Sequence, residues 1–498
     1  MAPAATRKGR SGPAGKGKAK KPVSANGKKG SKENAKEKAD NKNKDPVKNL
    51  IQLPVVKPFE LRSQNVLHKL YHYKTGNCTI NNMKQALIKP LQDRLSRYRI
   101  LRTSSPFDRR VTSLAWHPTK PTTLSAASKG GDLILWDYEK LDNIHFVNGI
   151  GMGGCITAMK FDLDAPDHIY TASINGMVVR QGFEGRTKQV FLNTNDWSFW
   201  YCSLDVNFKS NLLLAGNNNG QVTLMTRHGE KVWSHRLQKM KVNHCEFNPT
   251  CDWLFVTSSC DRTVKLWDVR MIKDNKSFVH NLEHTKPINS AYFSPDGSRL
   301  LTTDQHSELR IYSGPYWPEN YQTIVHPHRF FQHITPIKAS WHPVHDVIVV
   351  GRYPDPNFPG YCSGECRTID LFDANTGEII CQLLDPRAEG LVSLNLFSPM
   401  TDTLVSGMGY HVLVWTDDEN AFQKHEQFME SLRAQSSRVG GPSSETRRRR
   451  RGRGEDDEDD VASIKKKIKR GAKTTDEKQK QTIGIKVKEA MKKKKPKE

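Results

Sequence analysis

Short apolar runs rich in β-branched residues recur over residues 107–416, and turn residues separate each run from the next. The clearest example is the segment 255–270, FVTSSCDRTVKLWDVR, in which an Asp-Arg turn joins two strand-like runs. Such a unit ending in Trp-Asp is typical of a β-propeller blade, where the turn aspartate binds neighbouring polar groups and the tryptophan packs between sheets. We therefore expect structural roles for Asp261 and Trp267. Arg270 lies just past the second strand, outside the packed part of the blade.

The same unit occurs seven times, and in each copy the first strand closes at an aromatic-x-Pro or similar turn. The closing residues are Pro118, Asp162, Phe208, Pro249, Pro295, Pro343 and Pro399. Their spacing of roughly 41 to 56 residues matches the period of a four-stranded blade. The repeats are degenerate, because only three copies keep a near-ideal final tryptophan, at Trp136, Trp267 and Trp415. The pattern predicts an all-β fold, a seven-bladed WD-repeat β-propeller over residues 106–420.

A different periodicity, typical of helices, covers residues 50–105. Its first apolar stripe predicts a helix that ends at Gly76. This stripe comprises Val66, Leu67, Leu70 and Tyr71. A second helix is expected to begin at Asn81 or Asn82, and Pro90 predicts a kink or a break in it. The stripe of the second helix comprises Met83, Ala86, Leu87, Leu91 and Leu95. Two such helices cannot form a core alone, so their apolar faces dock either on the propeller or in the groove of a partner.

Most of the charge lies in the two end segments of the chain. The formal net charge is +24, and residues 1–48 and 421–498 contribute +11 each. Both segments are rich in Lys, Gly, Ser and Pro and nearly free of aromatic residues, so residues 1–49 and 421–498 are predicted to be disordered tails. Basic runs of the class that nuclear import machinery recognises lie at residues 447–451, 465–467 and 492–495. We expect a nuclear protein; a tail that binds polyanions without specificity is the alternative interpretation of these runs.

Several classes of function find no support in the sequence. No apolar run approaches the roughly 18 residues of a membrane span, and no signal peptide is recognisable, so a soluble intracellular protein without membrane contact is expected. The nine cysteines are scattered, as expected of reduced thiols. Cys362 and Cys366 form one close pair, but no second Cys/His pair accompanies them, so no metal site is expected. No nucleophile–base arrangement or phosphate-binding glycine loop indicates an enzyme.

Blade geometry converts sequence position into location, because loops from outer strand d to the next strand a share one face with loops joining strands b and c. This rule brings basic and aromatic residues of several blades to one face, although residues 49–420 together carry a net charge of only +2. They are Arg109, Arg110, Lys129, Lys241, Arg352, Tyr353, Arg367 and the stretch 326–333. Such converging cations suit a phosphate backbone, and ordinary solvated surface charges are the alternative.

The loop HPHRFFQHITP, residues 326–336, is unusual for that face because it holds two adjacent phenylalanines between prolines. Exposing apolar side chains without a partner is unfavourable. A hairpin stiffened by Pro327 and Pro336, with an aromatic tip beside basic residues, could enter a base stack and replace a displaced nucleotide. We expect Phe330 to pack between blades and Phe331 to form the tip; packing of both rings in the core is the alternative.

Several stretches together resemble the family of small subunits of the UV-damaged DNA-binding complex, over about residues 60–416. These stretches are PFDRR, SKGGD, SPDGSRLLTTDQ, FFQHITP, VVGRYPDPNF and MGYHVLVW. The resemblance implies a propeller that binds damaged duplex DNA from the minor-groove side and flips damaged nucleotides out. The implied wedge at the lesion consists of Phe331, Gln332 and His333. Further implied DNA contacts are Arg109, Lys129, Trp200, Lys241, Arg329, Tyr353 and Arg367.

The same resemblance implies attachment to a large triple-propeller adaptor, damage-specific DNA-binding protein 1, of a cullin-4 RING ubiquitin ligase. One implied contact is an N-terminal helix-loop-helix, with Leu67, Leu70 and Leu87. The other is a box of the form WDxR, formed by Trp267, Asp268 and Arg270. This box follows strand c of its blade and is therefore expected on the face opposite the DNA contacts.

These expectations combine into a non-enzymatic lesion sensor that initiates nucleotide excision repair and serves as substrate receptor of a ubiquitin ligase. Its expected partners are damaged double-stranded DNA, the adaptor, and histones in chromatin, with no cofactor. The alternatives are a basic WD-repeat scaffold for RNA or ribosome assembly and a histone-binding module. Equal binding to RNA and to undamaged duplex would favour the scaffold.

Overall fold

A computed structural model describes residues 66–140, 144–151, 153–184, 188–194, 196, 198–329 and 334–439. The chain divides into two compact units, Met1–Cys78 and Thr79–Glu498. The predicted tail at residues 1–49 and the basic runs beyond residue 439 lie outside the described residues. None of the described helices is long and apolar enough to cross a membrane.

The described part of the first unit contains helix α1 (Val66–Lys74). Gly76 follows the helix with φ +75°, a left-handed conformation that favours glycine, and its amide N–H donates to the carbonyl of Tyr73 at 3.1 Å. The amide of Asn77 donates to the carbonyl of His72 at 2.8 Å. The prediction that Gly76 ends this helix is therefore confirmed.

The second unit consists of helix α2 (Ile80–Leu95), 28 strands and helix α3 (Glu419–Val439) within the described residues. In chain order the strands are β1 (Arg99–Ser104), β2 (Val111–Trp116), β3 (Thr123–Ser128), β4 (Leu133–Asp137), β5 (Ile144–Val147), β6 (Ile156–Phe161), β7 (His168–Ser173), β8 (Met177–Gly182), β9 (Lys188–Asn193), β10 (Tyr201–Asn207), β11 (Leu212–Asn217), β12 (Gln221–Thr226), β13 (Lys231–Arg236), β14 (Val242–Phe247), β15 (Leu254–Ser259), β16 (Thr263–Asp268), β17 (Phe278–Glu283), β18 (Ile288–Phe293), β19 (Arg299–Asp304), β20 (Glu308–Ser313), β21 (Tyr321–Val325), β22 (Ser340–Trp341), β23 (Val347–Gly351), β24 (Ile369–Asp373), β25 (Ile379–Leu383), β26 (Val392–Phe397), β27 (Leu404–Met408) and β28 (His411–Thr416).

These strands form seven antiparallel four-stranded sheets in the described part of the chain, which confirms the seven-bladed propeller. Blades one to six are β2–β5, β6–β9, β10–β13, β14–β17, β18–β21 and β22–β25. The seventh has the order β1-β28-β27-β26, so its outermost strand precedes the other blades in the sequence. Pairing of Arg99 with Thr416 and of Ser104 with Val412 closes the ring between distant parts of the chain.

The prediction of a helical pattern up to residue 105 is wrong for β1. Only Leu101 of this strand is buried, because β1 is an edge strand whose other side chains face solvent or loops. An edge strand of this kind has too few apolar positions to show the alternation expected of a half-buried strand.

The core lies between neighbouring blades, as the blade pattern predicts. In blade four, Trp267 is fully buried and its indole N–H donates to the hydroxyl of Thr257 at 2.8 Å. Asp261 accepts hydrogen bonds from the backbone N–H and the hydroxyl of Thr263, at 3.1 and 2.7 Å. The structural roles predicted for Asp261 and Trp267 are confirmed.

Helix α2 packs on the propeller. Leu91 and Leu95 join a buried cluster with side chains of blades six and seven, including Ile369 and Trp415, and the amide of Gln92 donates to the carbonyl of Ile380 at 2.8 Å. The helix begins at Ile80, one residue before the predicted start, because Thr79 caps it by accepting the N–H of Asn82 at 3.3 Å.

Of the kink or break predicted at Pro90, the break is wrong, because α2 continues to Leu95. Pro90 lies on the exposed side of the helix, while Leu91 faces the core. Packing of the last turns against the propeller maintains the helix although proline cannot donate a backbone hydrogen bond.

Helix α3 corrects the predicted start of the disordered tail at residue 421. Ala421 and Phe422 pack on the core shared by blades seven and one. Arg99 of β1 holds the start of this helix, since its guanidinium lies 4.3 Å from the ring centre of Phe422 and 2.6 Å from a carboxylate oxygen of Glu419. The composition of the segment is polar, but its few apolar side chains fall on one helical face.

Candidate nucleic-acid interface

Two sets of loops form one face of the propeller, which we call the top face: those joining strand d to the next strand a, and those joining strands b and c. Backbone hydrogen bonds join the two sets within a blade. Lys129 donates to Arg110 at 2.9 Å, Cys260 to Lys241 at 3.1 Å, and Tyr353 to Pro327 at 2.9 Å. These bonds fix the positions of the predicted contact residues relative to the rigid blades.

Arg109, Arg110 and Lys129 meet at the top of blade one. An added Cβ at Gly130 would lie 3.6 Å from the side chain of Arg109 and 2.8 Å from a carboxylate oxygen of Asp132. At Gly131, with φ +86°, a Cβ would lie 2.5 Å from the carbonyl oxygen of Gly154. The two glycines of SKGGD therefore allow this loop to approach its neighbours closely, with Lys129 exposed at its edge.

The central channel is a cavity of about 310 Å³ lined by the innermost strand of every blade, and Lys241 directly precedes one of these strands, β14. Lys338, a residue that sequence reasoning missed, lines this channel. Burial, and after it the charge of Lys241, lower the pKa of Lys338 to about 8. Two neighbouring lysines, one of them partly desolvated, form a strongly electropositive point. The surrounding sequence PIKASW gives little indication that Lys338 lines the channel, because a single lysine in an apolar run is also compatible with an exposed position.

Several top-face cations lack an acidic partner in the part of the chain that the structure describes. Among the described residues, no carboxylate lies within 4 Å of the charged groups of Arg109, Lys129 or Lys241, and Arg367 donates only to the backbone carbonyl of Glu389, at 3.4 Å. Trp200, in the d-to-a loop before blade three, is half-buried, and its backbone N–H donates to the side chain of Asn218 at 3.1 Å. The arrangement leaves positive charge available to an anionic ligand.

The base of the 326–336 loop is fixed by two buried histidines. His326 and His328 stack with ring centres 5.3 Å apart, and their Nδ1 atoms are 3.2 Å apart. His328 is 3.1 Å from Asp304, and His326 is 3.3 Å from Asp370. Burial lowers the pKa of His326 to about 4 although Asp370 acts in the opposite direction. The two rings therefore tie the loop to blades five and six.

The tip of this loop lies outside the described residues, which include neither Phe330 nor the predicted wedge of Phe331, Gln332 and His333. On its near side, Arg329 is exposed and lies 3.5 Å from Asp355. Tyr353, one loop away, is half-buried against the core of blades five and six. Both residues thus adjoin the point where the tip begins.

Arg352 differs from its neighbours. It forms ion pairs with Glu365 and with Asp370, the second at 3.0 Å, and its side chain is largely buried. These contacts hold the long loop between β23 and β24 against the blade. Arg352 therefore has a structural role in this loop, whereas Arg367 at its other end is exposed.

The remaining loops form the opposite, bottom face, which carries the predicted adaptor box. Trp267 is fully buried and Asp268 is 6 % exposed, so neither offers much surface to a partner. Arg270 is exposed, and Asp268 orients it through two hydrogen bonds, at 3.0 and 2.8 Å. The hydrogen bonds from Arg270 also lower the pKa of Asp268. The first two residues of the box thus position the third.

Trp253 extends this site and was missed by sequence reasoning. The guanidinium of Arg270 lies 4.7 Å from the ring centre of Trp253, which is 43 % exposed. The neighbouring Met271 is 66 % exposed. The signal in the sequence was the position of this tryptophan directly before Leu254, the first residue of β15.

The helical adaptor residues fall into two groups. Leu67 and Leu70 of α1 are 74 % and 44 % exposed, so this helix presents apolar side chains to solvent. The side chain of Leu87 in α2 lies outside the described residues. Leu91 and Leu95 pack on the propeller, so the first docking alternative, docking on the same chain, applies to α2. The apolar stripe of α1 is exposed, so the second alternative, docking in the groove of a partner, concerns α1.

Among the described residues, no group of three or more His, Cys, Asp or Glu side chains is arranged to hold a metal ion. Cys362 and Cys366 are both exposed in the loop between β23 and β24.

A family model, the WD domain with its G-beta repeat, matches residues 99–137, 229–268 and 276–313. The first match runs from β1 to β4, so a sequence repeat combines the outer strand of one blade with three strands of the next. This offset explains how β1 comes to close the ring.

Several similar curated proteins carry the name DNA damage-binding protein 2. The chain is 48 % identical over 391 residues to DNA damage-binding protein 2 of Gallus gallus, covering 76 % of this chain and 77 % of that protein. It is 48 % identical over 367 residues to the Mus musculus protein of that name, covering 74 % and 85 %. For Danio rerio the identity is 44 % over 407 residues, covering 81 % and 82 %. With this identity over about three quarters of its length, the chain belongs to the DNA damage-binding protein 2 family.

Proposed function

We propose that this chain recognises UV-damaged duplex DNA, including pyrimidine dimers and photoproducts, with its top face, and thereby initiates nucleotide excision repair. The main support is the set of top-face cations that have no acidic partner among the described residues, drawn from blades one, four and six. Family membership supports the same ligand, since the relatives are named for binding damaged DNA.

Phosphate contacts supply most of the affinity in this proposal. Arg109 and Lys129 bind the backbone at blade one, Lys241 binds it near the channel, and Arg367 binds it at blade six. Each contact releases counterions, so affinity depends on salt but carries little sequence information. A lesion sensor needs this property, because damage occurs in any sequence.

Selectivity for damage comes from the loop at residues 326–336. The tip, with Phe331, Gln332 and His333, inserts at the lesion and fills the space of the flipped nucleotides. A lesion that weakens stacking lowers the free energy needed to unstack and flip a nucleotide, so the damaged site is preferred. Its support is the stacked pair His326 and His328, which anchors the base of the loop to two blades. Arg329 and Tyr353 flank the tip, and Trp200 contributes a further contact.

The bottom face and α1 attach the protein to the adaptor of a cullin-4 RING ubiquitin ligase, so the chain acts as a substrate receptor at chromatin in the nucleus. Arg270 is the directional contact, because Asp268 holds its guanidinium in place and Trp253 supports it from the other side. The apolar stripe with Leu67 and Leu70 binds a groove of the partner, as amphipathic helices do.

A competition experiment at fixed salt tests the proposal. Labelled duplex with one pyrimidine dimer is displaced by damaged duplex, by intact duplex of the same sequence, and by single-stranded RNA of the same length. We expect damaged duplex to compete at least about 100-fold better than intact duplex, a difference of about 2.7 kcal/mol. Equal competition by intact duplex and RNA would replace lesion recognition by the RNA scaffold, and preference for histone peptides would replace it by a histone-binding module.

A further inference from the structure

A groove of about 760 Å³ lies between helix α3, the edge strand β1 and the loop between β25 and β26. We call it the α3 groove. Helix α3 lines it with Phe422, His425 and Met429, which share one helical face. At one end the groove reaches Arg387, in a d-to-a loop of the top face. None of the residues proposed above to bind DNA or the adaptor lines it.

Cations dominate the lining of this groove. Arg99 is paired with Glu419 at 2.6 Å, and Arg387 is paired with Asp385 at 3.0 Å. Arg102 differs from both: among the described residues, no carboxylate lies within 4 Å of its guanidinium, although it is half-buried. Among the described residues, Asp385 is the one acidic residue of the lining, and Arg387 already neutralises it.

Arg102 of β1 and His425 of α3 lie close together where the helix faces the propeller. Both residues line the α3 groove and a second cavity, of about 210 Å³, whose helical lining includes Phe428. Burial lowers the pKa of Arg102, and burial followed by the charge of Arg102 lowers the pKa of His425. The Nδ1 atom of His425 is buried without a hydrogen-bond partner among the described residues. Glu139 also lines the second cavity and its charge acts on Arg102, but no carboxylate lies within 4 Å of the guanidinium among the described residues. A half-buried cation and a buried polar atom thus lie at the same place without a direct hydrogen-bond partner in the described part of the chain, which is unfavourable unless an anionic, hydrogen-bonding group binds there.

The chain itself contains a matching anion. Residues 455–460 are six consecutive acidic side chains, EDDEDD, in an otherwise strongly basic segment. The 15 residues 440–454 connect them to the end of α3 at Val439. At roughly 3.3 Å per extended residue, this connection spans up to about 50 Å. From Met429 to Val439 the helix rises only about 15 Å, so the acidic run can reach back into the groove.

We propose that residues 455–460 bind in the α3 groove, with their carboxylates paired to the guanidinium of Arg102. Charge-assisted hydrogen bonds to this half-buried arginine are stronger than those at an exposed site. The groove accommodates an extended acidic strand along β1. Binding there also holds the flanking basic runs, at residues 447–451 and 465–467, near the edge of the top face.

The test uses the full-length chain and a variant in which Glu455 and Glu458 become Gln and the four aspartates of the run become Asn. The probe is a fluorescent peptide of residues 454–463, GEDDEDDVAS. We expect the peptide to bind the neutralised variant at least about tenfold more tightly than the wild-type chain, whose groove is already occupied. A peptide with the same six replacements is the control and should bind neither protein.

Location is tested in the neutralised background with Arg102→Gln, which should weaken peptide binding about tenfold. Arg433→Gln is the matched control, because Arg433 is exposed on α3 and does not line the groove. If Arg102→Gln lowers the melting temperature, Arg387→Gln replaces it, since the Arg387 side chain is 80 % exposed and its loss should not affect folding.

Equal peptide binding to wild-type and neutralised chains, or binding unaffected by both groove substitutions, would overturn the proposal. If intact duplex DNA displaces the peptide, and this displacement requires Arg102, the groove is assigned to nucleic acid instead. Neither result bears on lesion recognition, because the competition between damaged and intact duplex is read separately.

Discussion

Three top-face cations proposed to bind DNA differ in their acidic partners from two arginines of the bottom face, one of which is proposed to bind the adaptor. On the bottom face, Arg227 pairs with Asp162 and Asp164 at 2.9 and 2.5 Å, and Arg270 pairs with Asp268 at 2.8 Å. On the top face, Arg109, Lys129 and Lys241 have no carboxylate within 4 Å in the described part of the chain. Both faces are formed by loops that join the strands of the same seven blades, so the fold does not impose this difference.

The difference indicates two modes of recognition. An unpaired cation attracts any polyanion, and its contribution falls as salt rises. A cation already held by a carboxylate presents a neutralised but oriented group, which favours one partner geometry over others. The top face is therefore suited to a uniform backbone and the bottom face to a specific protein surface. Substitutions on each face should separate these modes.

The largest expected effect concerns the tip of the top-face loop. Phe331→Ala should remove stacking of roughly 1 to 3 kcal/mol from the damaged complex while leaving intact duplex almost unaffected. The ratio of damaged to intact affinity should fall about tenfold or more, with the salt slope unchanged because no charge is lost. Competition binding and a melting temperature measure the two effects. A destabilised protein with an unaltered ratio would mean that Phe331 is a core residue.

A smaller but more selective effect is expected on the bottom face. Arg270→His removes the two hydrogen bonds to Asp268 and the contact with Trp253, so adaptor association should weaken about tenfold while DNA affinity stays near wild type. Co-purification with the adaptor and DNA titration on the same preparation measure both. Loss of DNA binding by a normally folded variant would contradict the separation of the two faces.

The third prediction measures the unpaired charge directly. Lys241→Glu should weaken intact and damaged duplex alike and lower the salt slope by about 1 to 2, because a phosphate contact is lost. The matched control is Lys209→Glu, since Lys209 lies on the bottom face, 3.9 Å from Asp252. Equal slopes for the wild type and the Lys241 variant would remove Lys241 from the DNA footprint.

The smallest effect is a dependence on pH. The pKa of Lys338 is about 8, below its ordinary value, so its charge is present at pH 7 and mostly lost at pH 9. If this charge attracts DNA, affinity should fall about threefold over that range in the wild type, beyond the change in Lys338→Met.

Glu246 lies in the same channel, and burial raises its pKa to about 8. The Lys338→Met variant keeps Glu246 and therefore also controls for the titration of this carboxyl group. A fall of equal size in both proteins would assign the effect to another group.

Most of the fold followed from pattern alone. The blades could be predicted because each buries two or three short apolar strands, and the loop rule then placed Arg109, Lys129, Lys241 and Tyr353 on one face. β1 and α3 could not be predicted, because each buries few apolar side chains against a partner distant in the sequence. The continuous α2 was missed for a different reason, since the local effect of Pro90 was outweighed by packing on two blades.

The charged residues of the candidate site could be predicted from the sequence, but the burial of each side chain could not. Sequence cannot tell that Lys338 is half-buried while Lys129 is exposed, because both occur as single lysines next to strand-like runs. Likewise, the WDxR pattern named three residues, and only the burial of Trp267 and Asp268 identifies Arg270 as the exposed one. Trp253 lies 17 residues before Arg270 and joins it through the pairing of β15 with β16.

The pairing of β1 with β28 also determines when the ring can close during synthesis of the chain. A ribosome makes β1 early, but the partner strand follows more than 300 residues later. At a typical rate of about 5 to 20 residues per second, β1 waits for its partner strand for about 15 to 60 s. During that interval the blades at the two open ends of the unfinished ring present an apolar flank to the cytosol. Newly made chains therefore need protection from aggregation until the last blade forms, and a ribosome that stalls before residue 411 releases a ring that cannot close.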